Sequence, residues 1–296
     1  MPETAAACPT ASPSVAAELD GAAAVLMRAG VREPRREAAR LWAALSEVSP
    51  GRVWLMREHA APAELAGRFR EAVRRREHGV PFAYAAGRAT FRNLTLTVDS
   101  RALIPRPETE GLVEVVLRWA NSESGGLAAD VGTGSGCIAL SLAVEGRFDR
   151  IVATDRSAAA AALARENVAR VRPDVPVQVR VGDLLLPLAG ERCRVIVANP
   201  PYLTEAEWAE LDPAVREFEP RLALESGPDG LDATRALLHG ARNVLEPGGV
   251  LALEIDERRA AAVRALAAAD GWHRVDIRED LTGRPRYALA VAGVDA

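Results

Sequence analysis

The second half of the chain is constrained most by an alternation of short apolar runs with longer segments of helical periodicity. The runs are rich in β-branched residues, which is typical of buried strands. They fall at residues 127–131, 151–154, 177–181, 195–198, 250–255, 274–277 and 286–291. Helical patterns occupy most of the gaps, notably 138–144, 158–169, 231–245 and 257–269. This alternation predicts a mostly parallel sheet with helices on both faces.

The last two predicted strands are an exception to this alternation. Only residues 279–285 separate them, which is too few for the crossover that joins parallel strands. We therefore expect the last strand to run antiparallel. The predicted fold is of the α/β class, with a seven-stranded, mostly parallel sheet and an antiparallel last strand.

The first half of the chain follows a different pattern. Residues 1–13 are small, are interrupted by prolines and lack periodicity, so we expect a disordered tail. Residues 14–83 show helical periodicity, which predicts a small helical bundle with long helices at 14–29, 35–48 and 62–78. The period changes to two at residues 84–104, where we expect a β-hairpin that links the bundle to a second domain, residues 105–296.

Composition narrows the possible functions. The net charge of −4 argues against a protein whose main work is to grip nucleic-acid phosphates. All 37 Lys-plus-Arg positions are Arg, which excludes a lysine Schiff base. Cys8, Cys137 and Cys193 are too widely spaced to indicate a disulfide framework or a zinc site, and we expect no metal. Neither a signal peptide nor a membrane-spanning run is evident, so we expect a cytoplasmic protein without a membrane partner.

A glycine-rich turn follows the first predicted strand of the sheet. It consists of Gly132, Thr133, Gly134, Ser135 and Gly136, and it opens a helix. Glycines at such a turn let the backbone approach a ligand closely. The same kind of turn also serves nicotinamide and flavin dinucleotides, but the third glycine of the dinucleotide fingerprint is not at its usual place here.

Two acidic residues end the next two predicted strands. Asp155 follows the turn by about twenty residues, where a carboxylate can accept hydrogen bonds from both hydroxyls of a ribose. Asp183, followed by Leu184, lies where an adenine would rest. With the glycine-rich turn, these two positions predict a site for an adenosyl cofactor.

The fourth predicted strand ends in Asn199, Pro200, Pro201 and Tyr202. The prolines stiffen this corner, because each ring fixes φ and restricts the residue before it. The side-chain oxygen of Asn199 and the carbonyl of Pro200 are two hydrogen-bond acceptors, and Tyr202 adds a flat apolar face. Such a corner suits a planar group that carries an NH2. Taken alone, it is equally compatible with a proline-rich turn capped by an Asn.

The tetrad and the predicted adenosyl site together favour transfer of a methyl group to an NH2. An amide nitrogen is a poor nucleophile, because its lone pair is delocalised into the carbonyl. If Asn199 and Pro200 hold its two hydrogens, the lone pair can be aimed at a sulfonium methyl, and positioning carries the catalysis. We therefore assign catalytic roles to Asn199, Pro200 and Tyr202, and substrate binding to the whole tetrad; Asn199 is also expected to contact the cofactor.

Taken as a whole, the chain resembles the protein-(glutamine-N5) methyltransferases of peptide chain release factors. The resemblance extends over nearly all of the sequence beyond the first dozen residues. Besides the tetrad, it is carried by Leu103-Ile104-Pro105-Arg106-Pro107-Glu108-Thr109-Glu110, by Phe218-Glu219-Pro220, by Pro247-Gly248-Gly249 and by residues 280–287. The tetrad alone is shared with methyltransferases that act on the amino group of adenine in DNA and RNA, but the combination is not.

The resemblance implies S-adenosyl-L-methionine as cofactor and the glutamine of a Gly-Gly-Gln motif in release factors as acceptor. It also implies a Rossmann-like methyltransferase domain behind a helical N-terminal domain that helps to dock the substrate. By the same resemblance, residues 132–136 contact the methionine part, Asp155 the ribose, Asp183 and Leu184 the adenine, and residues 199–202 the glutamine. The chain departs from the family pattern at Asp256, at Arg258-Arg259 and at Leu184, where some members carry an aromatic residue.

Three other functions stay open at this point. A glutamine methyltransferase of a ribosomal protein shares the tetrad. An adenine-N6 methyltransferase of DNA or RNA shares it too, but would normally need a basic groove that the charge balance does not indicate, so we expect no direct nucleic-acid partner. A non-catalytic docking module is disfavoured, because the cofactor turn, the ribose acid and the tetrad are all present.

Overall fold

The computed structural model describes residues 12–120 and 125–293. The chain forms two compact units that divide between Gly87 and Arg88, within the segment 84–104 where we expected two domains to join. The predicted disordered tail, residues 1–13, lies outside the described residues except for residues 12 and 13.

Within residues 12–87 the first unit is built from helices. They are α1 (Val15–Arg28), α2 (Pro34–Ser46), α3 (Pro50–Leu55), α4 (Ala63–Glu77) and α5 (Phe82–Ala86). The hydroxyl of Ser14 begins α1 by accepting a hydrogen bond from the Ala17 N–H at 3.2 Å, which satisfies one of the free donors at a helix start. Trp42 and Phe69 meet edge to face in the core, with ring centroids 4.9 Å apart.

One expectation for this region was wrong. We expected extended structure from Tyr84 onward, but Tyr84 lies in the short helix α5. Pro81 precedes this helix with a backbone conformation suited to a helix start. Gly87 ends it with φ +69°, a left-handed conformation that glycine adopts without strain. Strand pairing therefore begins at Arg88.

The second unit opens with a hairpin of β1 (Arg88–Phe91) and β2 (Leu94–Thr97). Helix α6 (Pro107–Ala120) follows it. Phe91 and Leu96 are buried in the same apolar cluster as Leu112 and Val113 of α6. The hairpin thereby contributes to the core of the second unit.

The sheet of the second unit has seven strands within the described residues, in the order β5-β4-β3-β6-β7-β9-β8. Its strands are β3 (Leu127–Val131), β4 (Arg150–Asp155), β5 (Val177–Val181), β6 (Cys193–Ala198), β7 (Leu245–Glu254), β8 (Arg274–Glu279) and β9 (Pro285–Val291). All neighbours pair in parallel except β9, which is antiparallel to both β7 and β8. The predicted mostly parallel sheet with an antiparallel last strand is confirmed.

Helices cover both faces of this sheet. Besides α6, the helices packed on it are α7 (Cys137–Glu145), α8 (Ala158–Val171), α11 (Asp232–Ala241) and α12 (Ala260–Ala269). The short helices α9 (Glu205–Ala209) and α10 (Pro213–Phe218) bury no residue. Successive side chains of a strand point to opposite faces. In β6, Val195 and Val197 pack into the cluster that contains α6 and α7, whereas Ile196 packs into the cluster that contains α11 and α12.

The pairing register fixes where the predicted site residues emerge. Val131 at the end of β3 pairs with Thr154 of β4 on one side and with Ala198 of β6 on the other. The residues that follow these three are Gly132, Asp155 and Asn199. Because parallel strands end at the same edge of a sheet, the glycine-rich turn, the ribose acid and the tetrad begin side by side.

Candidate active site

A cavity of about 450 Å³ lies at this edge of the sheet, a volume in the range of small-molecule sites. Most of the residues singled out from the sequence line it, namely Gly132, Thr133, Gly134, Ser135, Asp155, Asp183, Leu184, Asn199, Pro200 and Pro201. Gly136 and Tyr202 do not line it. One cavity therefore joins the predicted cofactor residues to the predicted acceptor residues.

The glycine-rich turn presents bare backbone to this cavity. Gly132 and Gly134 have φ of +75° and +55°, which side chains rarely tolerate. A Cβ added at Gly132 would meet nothing within 4 Å, so open space borders the backbone there. Gly136 differs from these two, because at φ +84° it begins α7, and a Cβ would contact Ala164 and Leu140 at 3.5 Å. The space would admit a Cβ, so glycine is favoured at this position by its positive φ.

Asp155 links the turn to the end of β4. Its Oδ2 accepts a hydrogen bond from the Gly134 N–H at 2.9 Å, and its Oδ1 accepts one from the Ser157 N–H at 2.8 Å. Burial raises the pKa of this carboxyl, against the lowering effect of the two backbone donors. Each carboxylate oxygen has a second lone pair, so the group can still accept hydrogen bonds from two ribose hydroxyls.

Asp183 and Leu184 form the wall that we expect to contact an adenine. The Asp183 side chain is about half exposed and faces Arg156, with 3.7 Å between Oδ1 and Nε. Leu184 has φ +43°, an uncommon conformation for a residue with a side chain. The Thr154 hydroxyl donates to the Leu184 carbonyl at 3.3 Å and helps to hold it there. Strain of this kind concentrates at ligand sites.

A third acid, Asp130, is hydrogen-bonded to the turn without lining the cavity. Its Oδ2 accepts hydrogen bonds from the Thr133 hydroxyl at 2.6 Å and from the Ala139 N–H at 3.0 Å. Its Oδ1 is buried without a hydrogen-bond partner among residues 12–120 and 125–293. Burial raises its pKa to about 7, although both hydrogen bonds oppose that rise.

The Asn199 side chain is held by two residues that sequence reasoning did not single out. Its Nδ2 donates to Thr109 Oγ1 at 3.0 Å, and the Thr109 hydroxyl donates to Glu254 Oε2 at 2.7 Å. Thr109 and Glu254 are 3% and 2% exposed. A signal was present, since Thr109 lies in the 103–110 run that carries the family resemblance. The amide of Asn199 is thereby anchored through its nitrogen, which leaves its oxygen available to a ligand.

Tyr202 is the one residue of the tetrad that does not line the cavity. Its backbone N–H donates to the Leu224 carbonyl at 3.2 Å, as does the Leu203 N–H at 2.8 Å, so the chain turns away after Pro201. The phenol is largely desolvated, and burial raises its pKa to about 12, with the negative charge of Glu254 adding to the effect. The phenol therefore lies in a largely buried environment close to the Glu254 carboxyl.

The departures at positions 256–259 form an ion-pair network. Arg259 donates to Glu207 Oε2 at 2.6 Å, Arg258 lies 2.9 Å from Glu207 Oε1, and Arg258 also pairs with Asp256 at 2.9 Å. Glu207 is in α9, which directly follows the tetrad segment. The network joins α9, which follows the tetrad, to the residues that follow β7. The side chains at positions 256–259 therefore stabilise the segment after the tetrad from outside the cavity.

Two further segments that line the cavity were missed from the sequence. They are residues 101–106, before α6, and residues 220–227, after α10. They bring apolar side chains such as Leu103, Ile104 and Leu222 to the cavity. Their contribution depends on how the loops fold back over the sheet edge, which no local pattern reveals.

Neither a cluster of metal-binding side chains nor a helix able to cross a membrane occurs among residues 12–120 and 125–293. No group of three or more His, Cys, Asp or Glu among these residues is arranged to hold a metal ion. Among the described helices, none has the length and apolar character needed to cross a membrane.

Comparison with known proteins identifies both parts of the chain. The model of the PrmC N-terminal domain matches residues 19–87, and that of the methyltransferase small domain matches residues 111–216. A release factor glutamine methyltransferase of Moorella thermoacetica is 45% identical over 268 residues, covering 90% of this chain and 94% of the relative. Proteins of the same name from Cereibacter sphaeroides and Deinococcus radiodurans are 40% and 39% identical, covering 90% and 92% of this chain and 94% and 96% of those proteins.

Solved methyltransferase structures are similar to this chain in fold. A methyltransferase from Pyrococcus furiosus aligns with a TM-score of 0.51 at 20% identity, covering 67% of this chain and 88% of that one. The T. thermophilus 16S rRNA N2 G1207 methyltransferase, solved with AdoMet and guanosine, aligns with a TM-score of 0.50 at 18% identity, covering 70% and 49%. The fold is thus that of methyltransferases, and the identity to the named relatives over most of the chain shows that this protein belongs to the family of release factor glutamine methyltransferases.

Proposed function

We propose that this protein transfers a methyl group from S-adenosyl-L-methionine to the side-chain amide nitrogen of the glutamine in the Gly-Gly-Gln motif of peptide chain release factors. Family membership supports the release factor as substrate. One observation carries the chemical detail: the Asn199 amide, anchored through its nitrogen, and the neighbouring Pro200 line the same cavity as the glycine-rich turn and Asp155.

The residues present fit an adenosyl cofactor. The bare backbone at Gly132 and Gly134 suits close contact with the methionine part, and Asp155 has free lone pairs for the ribose. The wall at Asp183 and Leu184 suits the adenine. When bound, this cofactor supplies an electrophilic methyl group on a sulfonium.

On this proposal, the tetrad acts on the acceptor through positioning. The Asn199 Oδ1 and the Pro200 carbonyl each accept a hydrogen bond from the glutamine NH2, which turns its lone pair toward the methyl donor. As the nitrogen gains a bond it becomes positive, and both acceptors interact more strongly with its hydrogens than they did before transfer. The nitrogen becomes acidic only at that stage, so no strong base is needed beforehand.

The apolar residues around the cavity support the same chemistry. Leu103, Ile104 and Leu222 line it together with Pro200 and Pro201. With a glutamine in place, such walls exclude water from the acceptors, which strengthens each hydrogen bond to the amide. The same exclusion protects the methyl donor from hydrolysis.

The test is methylation of a purified release factor with isotopically labelled S-adenosylmethionine, followed by proteolysis and mass mapping. We expect one methyl group on the Gly-Gly-Gln glutamine, and none on a release factor in which that glutamine is replaced by alanine. Label on another residue, or on neither substrate, would overturn the proposal. Parallel incubations with ribosomal proteins and with DNA and RNA test the two other acceptors that the tetrad allows.

A further inference from the structure

Two buried groups from distant parts of the second unit, Thr109 and Glu254, meet the partly buried Asn199 at the cavity. Asn199 follows β6, Thr109 lies in the first turn of α6, and Glu254 is the last residue of β7. The hydrogen bonds between them measure 3.0 Å and 2.7 Å and run from Asn199 to Thr109 to Glu254. Only Asn199 has an assigned role so far.

The direction of this chain follows from counting protons. A carboxylate can only accept hydrogen bonds, and a threonine hydroxyl has a single proton to donate. When that proton goes to Glu254, the Thr109 oxygen can only accept from Asn199. The Asn199 side chain must then turn its NH2 toward Thr109 and its oxygen away from it. If the Asn199 amide were flipped, its oxygen would face the lone pairs of the Thr109 oxygen, and no hydrogen bond could form between them.

We propose that Thr109 and Glu254 are positioning residues that orient the Asn199 amide so that its oxygen, and not its nitrogen, meets the substrate NH2. This proposal rests on the proposed function, because an orientation of Asn199 matters only if an NH2 is the group it receives. Thr109 and Glu254 act through Asn199 in this scheme.

The orientation depends on the charge of Glu254. If this carboxyl is protonated, it can donate to Thr109, and the hydroxyl proton of Thr109 is free to point at Asn199. The Asn199 amide can then form a hydrogen bond with Thr109 through either its nitrogen or its oxygen. In the second case its nitrogen faces the substrate, and that nitrogen cannot accept a hydrogen bond from an NH2. Ionised Glu254 therefore selects the productive orientation.

The surroundings of Glu254 place its ionisation in an accessible range. Burial raises its pKa to about 7, while the hydrogen bond from Thr109 and the positive charge of Arg286 lower it. The titratable and charged groups that face it are Arg286 and Tyr287 of β9, Arg106 and Glu108 at the start of α6, Tyr202 of the tetrad, and Cys137 of α7.

The first experiment measures single-turnover methylation of the release factor by the full chain from pH 5.5 to 9. We expect the rate of the unmodified protein to rise with pH to a plateau, with an apparent pKa near that of Glu254. The Glu254→Gln variant should lose this pH dependence. Its rate at pH 8 should be lower by roughly 10- to 100-fold, which corresponds to the loss of a hydrogen bond to a charged group. Thr109→Val should lose as much, whereas Thr109→Ser, which keeps the hydroxyl, should recover most of the rate and the pH dependence.

Matched measurements separate positioning from packing. Thr234→Val removes a buried hydroxyl elsewhere in the second unit and should leave the rate unchanged. Affinity for S-adenosylmethionine should be unchanged in every variant, which also shows that each is folded. The proposal is overturned if Thr109→Ser is as slow as Thr109→Val, or if Glu254→Gln keeps the low-pH loss of rate.

A second readout does not depend on methyl transfer. The side-chain NH2 signals of Asn199 in asparagine-labelled protein, assigned by their loss in Asn199→Ala, should shift with pH near 7 and stop shifting in Glu254→Gln. If the unmodified protein fails to methylate the release factor but shows this titration, the proposed function is wrong and the orientation of Asn199 stands. If the signals do not titrate, the coupling between Glu254 and Asn199 is absent.

Discussion

Glu219 accepts a hydrogen bond from the backbone N–H of Ile104 at 3.1 Å, across 115 residues of sequence. Its other oxygen accepts from Arg106 Nη2 at 2.6 Å. The Glu219 side chain is only 1% exposed. Ile104 and Arg106 line the cavity from one side, and Pro220, next to Glu219, lines it too. One buried carboxylate therefore holds together the two loops that complete the site.

Arg106→Ala should destabilise the second unit strongly. It leaves a buried carboxylate without its opposite charge, a change that costs about 3–5 kcal/mol in comparable buried pairs; the partial exposure of Arg106 puts our expectation at about 2–4 kcal/mol. The free energy of unfolding of the second unit, obtained by denaturant titration, measures this loss of stability. Adding Glu219→Gln to Arg106→Ala removes the buried charge and should restore part of the loss. Equal or greater loss in the double variant would contradict this account.

Alanine usually stabilises a helix relative to glycine. Gly111→Ala, inside α6, should nevertheless destabilise the protein. A Cβ at Gly111 would lie 2.1 Å from the hydroxyl oxygen of Tyr287, which donates to the Glu108 carbonyl at 2.7 Å. The Tyr287 ring is buried and cannot move aside cheaply. Overpacking of this kind costs about 1–3 kcal/mol, which a denaturation midpoint would reveal.

Gly67→Ala is the matched substitution in α4. A Cβ there would meet nothing within 4 Å, so the usual gain of about 0.5–1 kcal/mol for alanine over glycine in a helix should appear. The two substitutions should thus move the stability of their units in opposite directions. A gain at Gly111 equal to that at Gly67 would show that α6 and β9 are not packed as described.

Asp155→Ala and Asn199→Ala should separate cofactor binding from transfer. Asp155→Ala removes the proposed ribose acceptor and the partner of the Gly134 N–H, so affinity for S-adenosylmethionine should fall at least about tenfold, as for the loss of one hydrogen bond to a charged group. Asn199→Ala should nearly abolish transfer while the affinity measured by titration calorimetry stays close to that of the unmodified protein. If Asn199→Ala weakens the cofactor as much as Asp155→Ala does, the division of roles is wrong.

Asp130→Asn tests whether the pKa of the Asp130 carboxyl is raised in the folded protein. The unfolded chain loses this proton near pH 4, whereas the folded carboxyl keeps it up to about pH 7. Between these values the folded state binds more protons than the unfolded state, so the contribution of Asp130 to stability falls as pH rises. The free energy of unfolding of the unmodified protein should therefore decrease relative to that of Asp130→Asn across this window, by at most about 1.4 kcal/mol per pH unit. A difference that stays constant with pH would show that Asp130 titrates normally in the folded protein.

The local pattern of the sequence was enough to predict the mostly parallel sheet and the antiparallel direction of its last strand. Apolar runs of strand length between helical segments require a parallel sheet, and the short link at 279–285 requires an antiparallel end. The same reasoning missed helix α5, because five residues around Tyr84 are too few to show a period. Local propensity there was outweighed by Pro81 and Gly87, which begin and end a helical turn.

The predicted site residues divide in the same way. Gly132, Asp155 and Asn199 could be named from the sequence, because each directly follows a strand and parallel strands end at one edge. Thr109 and Glu254 could not, since the partners that give them a role lie 90 and 145 residues away in the chain. Sequence by itself determined which backbone corners face the cavity, since φ preferences and strand ends are local properties. Only the packing of α6 and the two loops against the sheet decided which buried hydroxyl and carboxylates hold those corners, since hydrogen bonds between distant segments exist only once the core has formed.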